Sequence, residues 1–293
     1  MAIIRVPQDQ DSIQSGVNAA NPGDIVLVDK GFYQETVVIN KDSIRLVAKV
    51  PHGVILQSNN SNENAIQLNN VNNVEIYGFI IQDSHRSIWI YRGGYHRIIG
   101  NIFQNHNADG ILFEDSTGNF IYQNIIRNNF SVGVLLGWST PGSISNWLIE
   151  NLIVNNGGHG VEIWTPGATG NAIINNKIFG NNGQGIFAKG RNSLLYSNWT
   201  INNSVNGIKL EFGDNSIAVR NCIKANCGDG IDISSDENLA YANLVKKNLG
   251  SGIQINGDEN IVQKNLLIGN EEGGDINNNC NNSIFDNQTG IGK

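Results

Sequence analysis

Charge, cysteine and long apolar runs are all scarce in this chain, and each scarcity excludes something. Only 15% of its 293 residues are charged. The helix formers Ala, Leu, Glu and Lys are thinly spread, so a helix-rich fold is not expected. Three cysteines, Cys222, Cys227 and Cys280, cannot close a disulfide framework. Without histidine beside them they make no zinc site, and they read as packing residues. No apolar run approaches the ~20 residues that a membrane-spanning helix needs. Met1 to Pro7 lacks the basic and apolar regions of a signal peptide. The compartment therefore stays open, an extracellular or cell-surface setting fitting a chain whose leader has been removed. The net charge of -7 argues against a nucleic-acid partner, because phosphate neutralisation needs a basic face.

Glycine, with 34 residues, and asparagine are abundant, and both recur with a period. A glycine followed by alternating apolar residues appears at Gly110, Gly133, Gly160, Gly185, Gly207, Gly230 and Gly252, with Ala65 and Ser87 upstream and Gly274 downstream. A second series is Asn101, Asn124, Asn151, Asn176, Asn198, Asn221, Asn243, Asn265 and Asn287. From each asparagine to the next glycine is nine residues. The return distance is usually 13 or 14, but it lengthens to 18 after Gly133 and to 16 after Gly160. One turn of the repeat thus tolerates insertion and the rest does not.

Each unit of about 22 residues holds three short runs of period-2 alternation and no 3.6-residue period. Such units close into coils, and one coil can bury its apolar face only by stacking on the next. The expected fold is all-β: a right-handed parallel β-helix of roughly a dozen coils, forming a single domain over 1–293. Residues 1–24 form an N-terminal cap, 25–274 the coils and 275–293 a last coil and tail. In the cap, Asp11 precedes a short helix that presents Ile13, Val17 and Ala20 on one face. The repeating asparagines suit a left-handed turn position, with their amides stacked along the axis. No equivalent cap follows Gly274, which leaves that end for irregular closure or for a second copy in a homo-oligomer.

The run Ser12 to Asp24, then Gly31-Phe32-Tyr33 and Val37-Val38-Ile39-Asn40-Lys41, resembles the opening of the pectate-lyase-like superfamily. The chain is most similar to its carbohydrate-binding and sugar-hydrolase branch, which includes the nitrous-oxide-reductase accessory proteins. The resemblance covers nearly the whole chain. It implies the β-helix fold, and a function drawn from lyases, hydrolases, epimerases and binding proteins. Gly158-His159-Gly160 resembles a polygalacturonase motif, and Asn107-Ala108-Asp109 resembles another, which implies roles for His159 and Asp109. The coil between reads Phe130-Ser131-Val132 where that family carries paired aspartates, and the Asp-Pro-His-Glu motif of mannuronan epimerases is absent.

In the glycine-led strand, the residues one and three places after the glycine point inward, and those two and four places after it point outward. The first outward column contains Trp89, Leu112, Leu135, Glu162, Phe187, Lys209 and Asp232; the second contains Tyr91, Glu114, Gly137, Trp164, Lys189 and Glu211. Trp89, Tyr91, Trp164 and Phe187 are read as exposed. Trp138 and Trp164 stand at the base of the two long turns, Trp138-Ser139-Thr140-Pro141-Gly142 and Trp164-Thr165-Pro166-Gly167. Aromatics beside carboxylates suit a polysaccharide or oligosaccharide.

Glu114 and Glu162, two coils apart, are the candidate acid and base of a glycoside hydrolase. Lys189 with Glu211, and Lys209 with Asp232, are neighbours along the columns. These lysines and Arg191 suit an acidic sugar in a polysaccharide lyase, or else form cross-strand ion pairs. No cofactor is required; stacked turn acids at Asp214, Asp236-Glu237 and Asp258-Glu259 would suit Ca²⁺. The alternatives to an enzyme are a non-catalytic carbohydrate-binding solenoid and a structural or assembly protein using the same face.

Overall fold

The computed structural model describes residues 1–271 and 274–290. It is a right-handed parallel β-helix whose strands form three sheets of 13, 12 and 11 strands. Each coil contributes one strand to each sheet. The glycine-led sheet takes strands such as Ile111–Glu114, Val161–Ile163 and Ile208–Glu211. A second sheet takes the strands just before the repeating asparagines, such as Arg97–Ile99. A third takes those just after them, such as Ile102–Gln104. Every pairing is parallel and in register from coil to coil, so Leu112 lies beside Leu135, Leu135 beside Glu162, and Glu162 beside Phe187.

Inward residues from all three sheets make one continuous apolar core that runs from Val6 to Leu267. The repeat glycines from Gly110 to Gly252 are demanded by close approach and not by backbone dihedrals, whereas Gly274 takes φ 79° in open space. A Cβ at Gly133 would lie 2.5 Å from the carbonyl oxygen of Gly160 and 2.6 Å from Ile153 Cγ2. Here the glycine strand turns so tightly off the preceding corner that any side chain would displace its neighbour coil.

The asparagine amides stack along the axis as expected, but their backbone conformation differs. They are not the left-handed residues. The residue before each is, as at Gln123 (φ 54°), Glu150 (φ 54°) and Arg220 (φ 56°). The left-handed residue turns the chain and aims the following asparagine inward. Its Oδ1 then accepts both the backbone N–H and the side-chain N–H of the asparagine one coil earlier, as Asn151 does for Asn124 at 2.9 and 3.1 Å. Its own Nδ2 reaches back to a carbonyl, Ile121 O at 2.9 Å. Corner groups that the sheets leave unpaired are thereby satisfied inside a dry core.

The other two corners carry the same device, which the single repeating series did not reveal. One ladder runs through His106, Asn129, Asn156, Asn181 and Asn203. The other runs through His96, Asn119, Asn146 and Asn171 and then continues as serine at Ser193 and Ser216. Two histidines thus occupy asparagine positions in the early coils.

At the N-terminus the helix spans Ile13–Ala19, and its N-cap is Ser12, one residue later than Asp11, with Ser12 Oγ accepting from the Ser15 N–H at 3.0 Å. Ile13, Val17 and Ala20 are buried against the core. The cap region also contains a strand, Ile3–Val6, which pairs with Ile25–Val28 as the first rung of the second sheet. Of the cysteines, Cys227 is exposed instead of packed, and all three are free. No helix among the described residues is long and apolar enough to cross a membrane.

Candidate functional site

The glycine-led face gathers most of the chemistry anticipated for it, through three columns rather than two. The residue before each repeat glycine forms the third column, with Arg86, Asp109, Val132, His159, Gln184, Asn206 and Asp229 bordering the outward residues. Each sits at the end of a corner, so its side chain rises at the rim of the sheet. Spacing from the glycine was the available signal for it.

The floor of the site is apolar. Leu112, Val132 and Leu135 pack together under Trp89. Leu112 and Leu135 stand in the outward column, yet they are 4% and 2% exposed. Phe187, expected on the surface, is also buried at 8%, covered by Lys189 and by the edge of the His159 ring at a 5.2 Å centroid separation. Trp89 and Tyr91 are partly buried and lie 5.4 Å apart. The aromatics that remain open are Trp138 and Trp164, whose rings lie 5.1 Å apart at the base of the two inserted turns. The turns lean on one another, and a Cβ at Gly167 would fall 1.9 Å from the carbonyl oxygen of Pro141. Two separate insertions therefore act as one wall.

Glu162 lies at the foot of that wall and is 3% exposed. Its Oε1 accepts from Lys189 Nζ at 3.3 Å, and its Oε2 lies 4.0 Å from His159 Nε2. Burial lifts the Glu162 carboxyl above its ordinary range; the Lys189 ammonium opposes that rise, and the Asp109 carboxylate adds to it. His159 is held near a pKa of about 4, by burial and then by the Lys189 charge, so it is neutral at pH 7. Its Nδ1 accepts the Gln184 backbone N–H at 2.9 Å, which assigns the ring proton to Nε2, on the side of Glu162. Lys189 Nζ is also 4.0 Å from the centroid of Trp164 and 4.4 Å from that of Phe187. Lys189 thus binds Glu162 and not Glu211.

The remaining charged groups are committed in the same way. Asp109, 4% exposed, pairs with Arg86 Nε at 2.9 Å and accepts the Val132 N–H at 3.2 Å. Glu114 accepts the Trp89 indole N–H at 3.0 Å. Lys209 pairs with Glu211 at 2.7 Å and Asp232 at 3.4 Å. Burial pulls its ammonium down, but these two carboxylates outweigh burial and hold its pKa above the usual value. Asp232 takes further bonds from Ser234 Oγ and Asn206 Nδ2.

Glu114 and Glu162 stand two rungs apart, with Leu135 and the side-chain-free Gly137 between them. Nearby, Gln184 Oε1 and Thr165 Oγ1 are buried without a protein partner, as happens at sites built for something else to complete. The turn acids are used within the fold: Asp214, Asp236 and Asp258 each accept a backbone N–H from the next coil. Among the described residues no group of three or more His, Cys, Asp or Glu is placed to hold a metal.

The chain belongs to the right-handed β-helix family, whose description, "Right handed beta helix region", matches residues 52–198 and 145–289, and with it to the pectate-lyase-like superfamily. No curated protein sequence matches it. Among solved structures it is similar to the A-module of the mannuronan C-5 epimerase AlgE4 of Azotobacter vinelandii, with a TM-score of 0.76, 13% identity, and 97% of this chain and 93% of that one covered. It is also similar to the DFA-IIIase of Arthrobacter chlorophenolicus, solved in complex with DFA-III (TM-score 0.70, 15% identity, 90% and 80% covered). A third is the periplasmic alginate epimerase AlgG (TM-score 0.66, 15% identity, 99% and 84% covered). At these identities the likeness is one of fold.

Proposed function

We propose that the protein is a polysaccharide-active enzyme whose glycan lies along the glycine-led face. The observation that carries this reading is the setting of Glu162. A carboxyl buried beside an aromatic wall, with its pKa raised above the ordinary range by desolvation, is suited to deliver a proton to a leaving oxygen. Trp138 and Trp164 supply flat faces for pyranose rings, Trp89 and Tyr91 continue the track, and the Leu112–Val132–Leu135 floor excludes water under it. Lys189 and His159 position the Glu162 carboxyl. Asp109, fixed by Arg86 and the Val132 N–H, shapes the rim, and its charge adds to the rise of the Glu162 pKa. The similar solved structures support the reading, since their names place several on alginate or DFA-III.

The test is mass spectrometry of products after incubation with a panel of polysaccharides, with and without calcium. New oligosaccharides that disappear with Glu162→Gln, while that variant still binds the polymer, are the expected result. Binding without products from any polymer would leave a carbohydrate-binding solenoid. Neither products nor binding would point to an assembly role for the face.

A further inference from the structure

We infer that this groove takes a glycan without carboxylate groups and cleaves it by hydrolysis, not by elimination; this deepens the reading of the glycine-led face as a glycan-processing site and rests on it. The argument is charge balance. Across the three columns from Arg86 to Asp232 there are six carboxylates, Asp109, Glu114, Glu162, Glu211, Asp229 and Asp232, against three cations, Arg86, Lys189 and Lys209. All three cations are already committed, Arg86 to Asp109, Lys189 to Glu162, and Lys209 to both Glu211 and Asp232. When Glu162 carries the proton that hydrolysis needs, Lys189 stays enclosed by the Trp164 and Phe187 rings, and five carboxylates still face three cations.

A uronate residue entering this groove would bring a carboxylate into a field of net negative sign, with no unpaired cation to receive it. Burying it there would leave the charge uncompensated. Glu114 is held only by the Trp89 indole N–H and has no cation partner among the described residues, so the field turns away carboxylates but not ammonium groups. Hydroxyls, which both donate and accept, are the groups that suit paired carboxylates, the orphaned Gln184 Oε1 and the Thr165 hydroxyl.

The chemistry follows from the substrate. β-Elimination and C5 epimerisation remove a ring proton made acidic by an adjacent carboxylate, and a sugar without carboxylates has none. Hydrolysis needs one carboxyl as acid and one as base. Two rungs of ~4.8 Å and a two-residue offset along the strand place the Glu162 and Glu114 backbones about 12 Å apart, within side-chain reach of the ~6.5–9.5 Å of an inverting pair. Glu162 gives its proton to the glycosidic oxygen as its bond to the anomeric carbon breaks. A water oxygen bonds that carbon from the opposite face, and its proton passes to Glu114. One water is consumed and the anomeric configuration inverts.

The experiment is affinity electrophoresis of the intact chain in gels containing β-glucan, galactomannan or arabinan as neutral polymers, alginate or polygalacturonate as acidic ones, and chitosan as a cationic one. The expected result is retardation by at least one neutral or cationic polymer, at least tenfold stronger than by either acidic polymer. That retardation should be lost in Trp138→Ala with Trp164→Ala. Preference for alginate or polygalacturonate would overturn the inference while leaving a glycan-processing face in place. Retardation by no polymer would overturn both, and binding that survives the double tryptophan variant would place the glycan elsewhere. A second readout uses any neutral or cationic polymer that is cleaved: hydrated products with inverted anomeric configuration support the step, whereas retained configuration overturns the Glu114 and Glu162 assignment.

Discussion

Acid should unfold this protein through the histidines of its ladders, and His106 is the clearest case. Its Nδ1 accepts the backbone N–H of Ser84 at 3.3 Å, and its own N–H donates to Asn129 Oδ1 at 3.2 Å. The ring therefore stands where an asparagine amide stands in the later coils. Protonation would place a second N–H on Nδ1, facing the Ser84 N–H, so that two donors confront each other within the core. Burial holds the His106 pKa at about 4, against 6.5 for a free histidine. The folded pKa is the lower one, so the stability contributed by neutral His106 is fully present above pH ~6.5 and is lost as pH falls toward 4. At 1.36 kcal/mol per pKa unit the loss is ~2 kcal/mol at pH 5 and levels off near 3 kcal/mol below pH 4.

His106→Asn should abolish that loss, because an amide oxygen accepts the same N–H without titrating. Urea unfolding of wild type and variant at pH 7.5 and pH 5.0 gives the double difference, in which every other titrating group cancels. The variant should lose about 2 kcal/mol less than the wild type between the two pH values. An equal loss in both proteins would show that His106 is not the titrating element and would refute the ladder argument.

Other consequences can be measured directly. Asn151→Ala removes the acceptor of the buried Asn124 backbone N–H, which should cost about 1–3 kcal/mol in urea unfolding, whereas Asn124 Nδ2 keeps the Ile98 and Tyr122 carbonyls. Gly167→Ala would force the two tryptophan turns apart against the Pro141 carbonyl, so glycan affinity should fall at least tenfold while the thermal midpoint moves by only a few degrees. Lys189→Met removes the charge that holds the Glu162 carboxyl down, so the pH above which turnover declines should move upward; an unmoved profile would separate Glu162 from the proton-transfer step.

The fold was legible in the sequence because stacking forces it to be. A coil repeats its neighbour's geometry at every rung, so Gly110, Gly133 and Gly160 must recur wherever a Cβ would strike the next coil, and Asn101, Asn124 and Asn151 wherever a corner amide needs a partner. Alternation also identified the outward columns that carry Glu162, Lys189 and Trp164. The ladder through Asn129, Asn156, Asn181 and Asn203 recurs as cleanly as the first, five residues after it, whereas the other is blurred by His96 and by Ser193 and Ser216.

What the sequence determined by itself was therefore the periodic part: the solenoid, its register and the face on which the insertions fall. Which charges meet was decided only by the tertiary structure. Column neighbours paired Lys189 with Glu211, yet the ammonium lies across the Phe187 and Trp164 rings and binds Glu162. Phe187, counted as a surface aromatic, is sealed under that same lysine. Side-chain torsions and the mutual burial of neighbours fix such contacts, and a repeat of backbone positions carries no record of either.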